Sequence, residues 1–337
     1  MTVGWIDNTT PGLARSWYPV ALSHEVDQDP VGVRLLGRGW VLVRLAGRLV
    51  AFVDECPHRL YPLSAGRVCG ERLRCAYHGW EFNPDGGCGA IPSLTEGTPI
   101  TRRARVATPA QVVERYGTVW LAPEPPIVPF VPLPEWDDPS FECRLDTPSR
   151  VGASAAQAVD NFCDTSHFVS VHAATFGGDI ASLAHPATVE RDGWTVTGTY
   201  DAPFRVQDDP RVLAGELPAV QPTHQTKTYW PATSMLLRML FPVTGSTFTV
   251  LIACQPEDTD STRIYRWFAR DDIVGDGPRW ASCLEVEVAI MAEDVAALNR
   301  YHHHGVPVDP TREVNVGADK LSVAYRRVLA DLCGLGS

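Results

Sequence analysis

The chain has 337 residues, 45% of them apolar and 20% charged, with 28 prolines and 27 glycines. That length suits two domains better than one, and that apolar share excludes disorder over most of it. A net charge of −11 excludes a nucleic-acid role driven by phosphate neutralisation.

No run approaches the roughly 18 apolar residues that a membrane-spanning helix needs. Met1–Thr10 carries neither a basic nor an apolar export segment. Nine cysteines without a secretion signal point to a reducing compartment, where thiols stay free or bind metal. The expectation is a cytoplasmic protein that does not enter a membrane.

In chain order, Val31–Leu36, Trp40–Leu45 and Leu49–Val53 read as strands, with Ala46-Gly47 as a two-residue hairpin turn. Tyr116–Leu121 reads as the closing strand of the same all-β unit. Seven prolines between Pro123 and Pro139 exclude a helix or central strand there and mark a linker. The expected division is a domain over 15–123, a linker over 124–139, and a second domain over 140–337 joined by 1–14. In the second domain Ala153–Val171 reads as helical, and Asp192-Gly193 joins the strands Ala187–Val189 and Trp194–Tyr200. The apolar strands Met235–Phe241, Thr247–Cys254 and Thr262–Phe268 follow. A last helix starts near Pro278, with Trp280, Leu284, Val288, Met291, Val295 and Leu298 as its buried stripe. Helix, antiparallel strands, then a long helix on the sheet is an α+β arrangement.

Two constellations carry chemistry. Cys56-Pro57-His58 and Cys75-Ala76-Tyr77-His78, separated by sixteen residues, are two matching loops, each offering one sulfur and one nitrogen. A structural zinc finger usually pairs like with like on each loop. A Rieske [2Fe–2S] centre instead needs two thiolates on one iron and two imidazoles on the other. The second constellation runs from Asn161 to His172. Asn161, Asp164 and His167 recur every three residues and would share a helical face. His172 falls about 140° round an ideal helix from His167, so both reach one metal only if the helix distorts or ends between them.

With Gly79-Trp80 after the second loop, the chain resembles the Rieske non-haem iron oxygenases. Tyr61 and Tyr77 stand where respiratory Rieske proteins carry disulfide cysteines. The resemblance implies an all-β Rieske domain and a helix-grip catalytic domain. It implies a [2Fe–2S] cluster on Cys56, His58, Cys75 and His78, and a mononuclear Fe(II) on His167, His172 and a third carboxylate. Asp294 is the expected third ligand, about 60° round the last helix from Met291. Glu287 is the runner-up, and Glu293 is expected to be solvated. In the family an aspartate placed as Asp164 is bonds a cluster histidine of the neighbouring subunit and relays electrons, within a ring-shaped oligomer expected here to be a homotrimer. Asn161 would be a nearby supporting or loosely coordinating residue.

The chain lacks a dinucleotide fingerprint, since Leu42 stands where Gly37-Arg38-Gly39 would need its third glycine. Electrons would therefore come from an external reductase, with or without a ferredoxin. Phe162, Phe168, Val169 and the strands from Met235 to Cys254 would line a pocket for an apolar or aromatic small molecule. The compact length favours monooxygenation, either hydroxylation or oxidative demethylation, over ring dihydroxylation. An electron carrier using the first cluster alone would leave the second constellation without a task, and a zinc-stabilised binding module would be colourless. His302-His303-His304 reads as a solvated cluster. His24 and His185 have no ligand-spaced neighbour, and His224 is at most a pocket wall.

Overall fold

A computed structural model describes residues 4–176, 188–206 and 208–336. The chain divides into two compact units, Ala14–Ile127 with Pro256–Asp258, and Met1–Leu13 with Val128–Gln255 and Thr259–Ser337. His185 and Ala187 lie outside the described residues.

The first unit is built from small antiparallel sheets. Its strands are β1 (Tyr18–Leu22), β2 (Val31–Leu35), β3 (Arg38–Leu45), β4 (Arg48–Val53), β5 (Arg67–Cys69), β6 (Arg72–Arg74), β7 (Glu81–Phe82), β8 (Cys88–Ala90), β9 (Gln111–Arg115) and β10 (Thr118–Ala122). They pair in the orders β2-β3-β4, β5-β6-β7-β8 and β9-β10-β1. Three hairpins share one turn chemistry: Leu36-Gly37, Ala46-Gly47 and Tyr116-Gly117 all take positive φ at both residues. That is the turn whose twist matches its flanking strands. Tyr116 was expected inside a strand; the turn claims it, and β10 starts at Thr118. Val41, Val43, Leu45, Phe52, Leu63, Leu73, Phe82 and Val106 form the core, and the buried Cys56 and Cys75 belong to it.

The second unit holds an antiparallel sheet of eight strands: β11 (Glu142–Leu145), β12 (Ser149–Val151), β13 (Thr188–Asp192), β14 (Thr195–Arg205), β15 (Val220–Trp230), β16 (Ser234–Phe241), β17 (Ser246–Asp258) and β18 (Ser261–Arg270). The order is β11-β18-β17-β16-β15-β14-β13, with β12 also on β18. The longer helices of this unit are α1 (Ala155–Cys163), α2 (Gly277–Leu298) and α3 (Lys320–Leu332), beside a single turn at Pro210–Leu213. Among the described residues no helix is long and apolar enough to cross a membrane. The proline-rich segment is not free chain along its whole length: Val128, Val131 and Leu133 are buried in this unit.

Two elements depart from the sequence reading for physical reasons. The helix expected over Ala153–Val171 starts at a capping box, in which Ser154 Oγ accepts from Gln157 N–H. It ends at Cys163, because the Asp164 carboxylate takes the Ser166 N–H at 2.7 Å and offers the backbone a turn instead. Asn161, Asp164 and His167 therefore do not share a helical face. In α2 the buried stripe runs through Trp280, Cys283, Met291, Asp294 and Leu298, whereas Val288 is 52% exposed.

Candidate active site

In the first unit the two Cys-His loops fold by the same rule. The Leu60 N–H donates to the Cys56 carbonyl at 2.8 Å and the Cys56 N–H to the Tyr61 carbonyl at 2.9 Å. In the second loop Gly79 donates to Cys75 at 3.1 Å and Cys75 to Trp80 at 2.9 Å. Leu60 and Gly79, each four residues past its cysteine, both have positive φ, 56° and 72°.

Each loop thus buries its sulfur and leaves its imidazole nearer solvent. Burial, with Cys75 beside it, pushes the Cys56 thiol up to about 11, a pair of thiols that a cation would deprotonate. Desolvation lowers the His58 pKa and so favours a neutral ring, which lies 4.4 Å from His78 and stacks on Trp80 at 4.7 Å between centroids. His58 Nδ1 is buried with no partner among the described residues. Two adjacent buried thiols and an orphaned ring nitrogen fit a cluster bound by two sulfurs and two nitrogens.

In the second unit His167, His172 and Asp294 bring one ligand atom each to within 4.8 Å of one another. His167 Nε2 is 3.2 Å from His172 Nε2, and Asp294 Oδ1 lies 3.6 Å and 3.2 Å from the two nitrogens. His172 and Asp294 are almost wholly buried. Burial alone would raise the Asp294 carboxyl, but the His167 and His172 rings and the Asn161 amide hold it well below the usual carboxylate range. Asn161 Nδ2 donates to Asp294 Oδ1 at 2.8 Å. Two imidazoles and a carboxylate on one side of a point are a donor set that suits Fe(II) with positions left open.

Asp164 Oδ2 stands 3.5 Å from His167 Nδ1, outside hydrogen-bonding geometry. Against the effect of burial, the His167 ring and Ser166 bring the Asp164 carboxyl down to about 2.

Glu293 is not solvated as the sequence suggested. Its Oε2 accepts from His172 Nδ1 at 2.8 Å and from the Thr175 hydroxyl at 2.8 Å. The His172 ring sits between neighbouring helix positions, presenting Nε2 to Asp294 and Nδ1 to Glu293, so both residues of the acidic pair face inward. Glu287 is not part of the triad; it lies against Arg266, whose Nη1 is 3.7 Å from Glu287 Oε2 and which also pairs with Asp146. Burial raises the Glu287 carboxyl to about 7, with Arg266 opposing.

The triad opens on a cavity of about 160 Å³ lined by Phe162, Phe168, Phe176, Tyr200, Met235 and Ile252 among others. Val169, expected in this wall, is instead 41% exposed. His224 is also outside it, exposed and paired with Asp201 at 2.6 Å. Sequence reasoning missed β15, whose buried residues Gln221, Thr223, Gln225 and Lys227 alternate with more exposed neighbours. Alternation was its signal, but the inward face is polar, so a search for alternating apolar residues passes over it. The histidine run is exposed, and His303 stacks on Trp5 at 4.7 Å between ring centroids.

Comparison with known proteins supplies the class. The Rieske [2Fe-2S] domain family matches residues 16–112, and the vanillate O-demethylase oxygenase C-terminal domain family matches residues 151–334. The chain belongs to the Rieske non-haem iron oxygenases, enzymes whose oxygenase components carry a Rieske cluster and a mononuclear iron and use O₂ with a separate reductase.

Among individual proteins, it is 28% identical over 333 residues to methylxanthine N1-demethylase NdmA of Pseudomonas putida, covering 95% of this chain and 89% of that one. It is 31% identical over 189 residues to the oxygenase component of dicamba O-demethylase of Stenotrophomonas maltophilia, 54% of each chain. The solved structure of Pseudomonas putida NdmA with caffeine superposes with a TM-score of 0.82 at 26% identity, covering 97% of this chain and 93% of that chain.

Proposed function

We propose that the chain is a monooxygenase that hydroxylates or oxidatively demethylates a small aromatic molecule. In this reading His167, His172 and Asp294 hold the iron, and Cys56, His58, Cys75 and His78 hold the cluster. The observation that carries the reading is a two-histidine, one-carboxylate triad, with His172 and Asp294 buried, at the wall of a largely apolar cavity of about 160 Å³. An apolar protein cavity of about 150 Å³ takes up a benzene ring, so the space suits one substituted ring. The metal groups, when bound, supply electron storage and O₂ activation.

The chain's own residues do the rest. Glu293 takes the Nδ1 hydrogen of His172 and so keeps Nε2 free for the metal and the ring at one angle. Asn161 restrains Asp294 Oδ1 from the other side. Phe162, Phe168 and Phe176 exclude water and give the substrate ring an apolar bed. The family resemblance gives Asp164, beside His167, the part of electron relay to a cluster histidine of a neighbouring subunit, within a homotrimer. Nine free cysteines support a reducing, cytoplasmic setting.

The test is turnover of a panel of methoxy- and N-methyl-arenes by the iron-loaded protein with a surrogate reductase, following formaldehyde and hydroxylated products. Formaldehyde or a mono-hydroxylated product is expected. Exclusive formation of cis-dihydrodiols would replace this reading with ring dihydroxylation.

A further inference from the structure

The cavity wall facing the triad's aromatic neighbours is not uniformly apolar. Tyr200 on β14 stands directly opposite Gln225 on β15, and Lys227 follows two residues after Gln225. The three side chains therefore leave one face of the sheet, and all three line the cavity. Lys227 is 3% exposed. Its ammonium has three hydrogens and meets one acceptor among the described residues, the Phe162 carbonyl at 3.0 Å. Beyond that it faces the rings of Phe168 and Tyr200, 5.6 Å and 5.9 Å from their centroids.

The carboxylates of the cavity wall are engaged elsewhere, Asp294 in the triad and Glu287 against Arg266. The Tyr200 hydroxyl is buried with no partner among the described residues. Gln225 donates to the Thr223 hydroxyl at 2.9 Å, and its second amide hydrogen meets no acceptor among the described residues. A buried cation with no ion pair among the described residues, beside a buried hydroxyl with no partner among them, is costly in a protein that never fills the space between them.

We propose that Lys227, Tyr200 and Gln225 form a seat for an anionic oxygen of the substrate, so that the cavity selects aromatic carboxylates over their uncharged analogues. The ammonium supplies the counter-charge, the phenol and amide supply hydrogen bonds, and the ring of the ligand lies against Phe168, Met235 and Ile252. This deepens the oxygenase reading and rests on it for the ligand's later fate, but binding itself does not need turnover. The competing use of Lys227 is structural, as a cation at the carbonyl end of α1.

The experiment is titration of the full-length protein, carrying cluster and iron, with 4-methoxybenzoate and with 4-methoxybenzamide, followed by calorimetry. The benzoate is expected to bind about tenfold or more tightly than the amide, the scale of a charge-assisted bond. Lys227→Gln keeps a donor for the Phe162 carbonyl and should bring the two ligands within about twofold. Tyr200→Phe should weaken the benzoate several-fold and the amide less, because a bond to a charged oxygen is the stronger one. Equal affinity of the two ligands in the unaltered protein, no binding of either, or a preference that survives Lys227→Gln would overturn the proposal. So would an equal loss for both ligands in Lys227→Gln, which would leave Lys227 as a helix-end contact. Formaldehyde release is scored separately: tight benzoate binding without it sinks the demethylation reading and spares this one, and turnover of the amide alone does the reverse.

Discussion

Glu293 Oε2 and His172 Nδ1 lie 2.8 Å apart, and the same oxygen takes the Thr175 hydroxyl. A histidine whose Nδ1 hydrogen is fixed on a carboxylate presents a lone pair at Nε2 in one tautomer and one orientation. Glu293→Ala should therefore lower mononuclear iron affinity by about 10- to 100-fold and leave the cluster spectrum intact. Iron retained against a graded chelator, with inorganic sulfide measured in parallel, checks this. Unchanged retention would show that the His172 ring needs no such anchor.

The third ligand is tested by the pair Asp294→Ala and Glu287→Ala. The first should abolish mononuclear iron and spare the visible absorption of the cluster. The second should keep the iron, because Glu287 is held against Arg266 rather than beside the two imidazoles. Reversal of these two outcomes would move the ligand assignment one and a half to two turns back along α2.

Asp164→Asn should retain both metal centres and slow electron transfer between them by about tenfold or more, read in single-turnover kinetics. The side chain keeps its size, loses its charge and exchanges one acceptor oxygen for an amide donor. Equal rates in the variant and the natural protein would remove the relay from Asp164.

Glu287 also makes a prediction for stability. Its carboxyl, raised by burial to about 7, lies well above the ordinary carboxylate range from which it titrates when unfolded. The folded protein thus holds the extra proton between those limits, and stability falls as pH rises from about 4.5 to about 7. The groups facing it are Arg266, Asp146, Arg270 and Asp294. Urea denaturation at several pH values should show this slope, of order 2 kcal/mol, and Glu287→Gln should flatten it.

How much of this was legible in the sequence depended on whether a signal was local. The cluster loops were readable because all four donors sit within two short segments with matched spacing. The two-residue turns were half readable: Ala46-Gly47 was visible, whereas Tyr116-Gly117 hid behind a β-favouring aromatic. His167, His172 and Asp294 came from resemblance and helical arithmetic, and the arithmetic failed for Asn161 and Asp164 because α1 stops at Cys163. Glu293 was misplaced because angular counting treats a helix face as narrow, while a histidine ring bridges two adjacent positions. The strand β15 escaped notice because its inward residues are polar.

That polar strand has a consequence for descent. The donors that gather metal come from the turns after α1 and from α2, whereas Lys227, Gln225 and Tyr200 come from two strands of the sheet. Reactivity and taste are thus written on different parts of the polypeptide. Gene duplicates of such an enzyme are free to drift toward new compounds by exchanging a few sheet residues, with the oxidising apparatus inherited untouched.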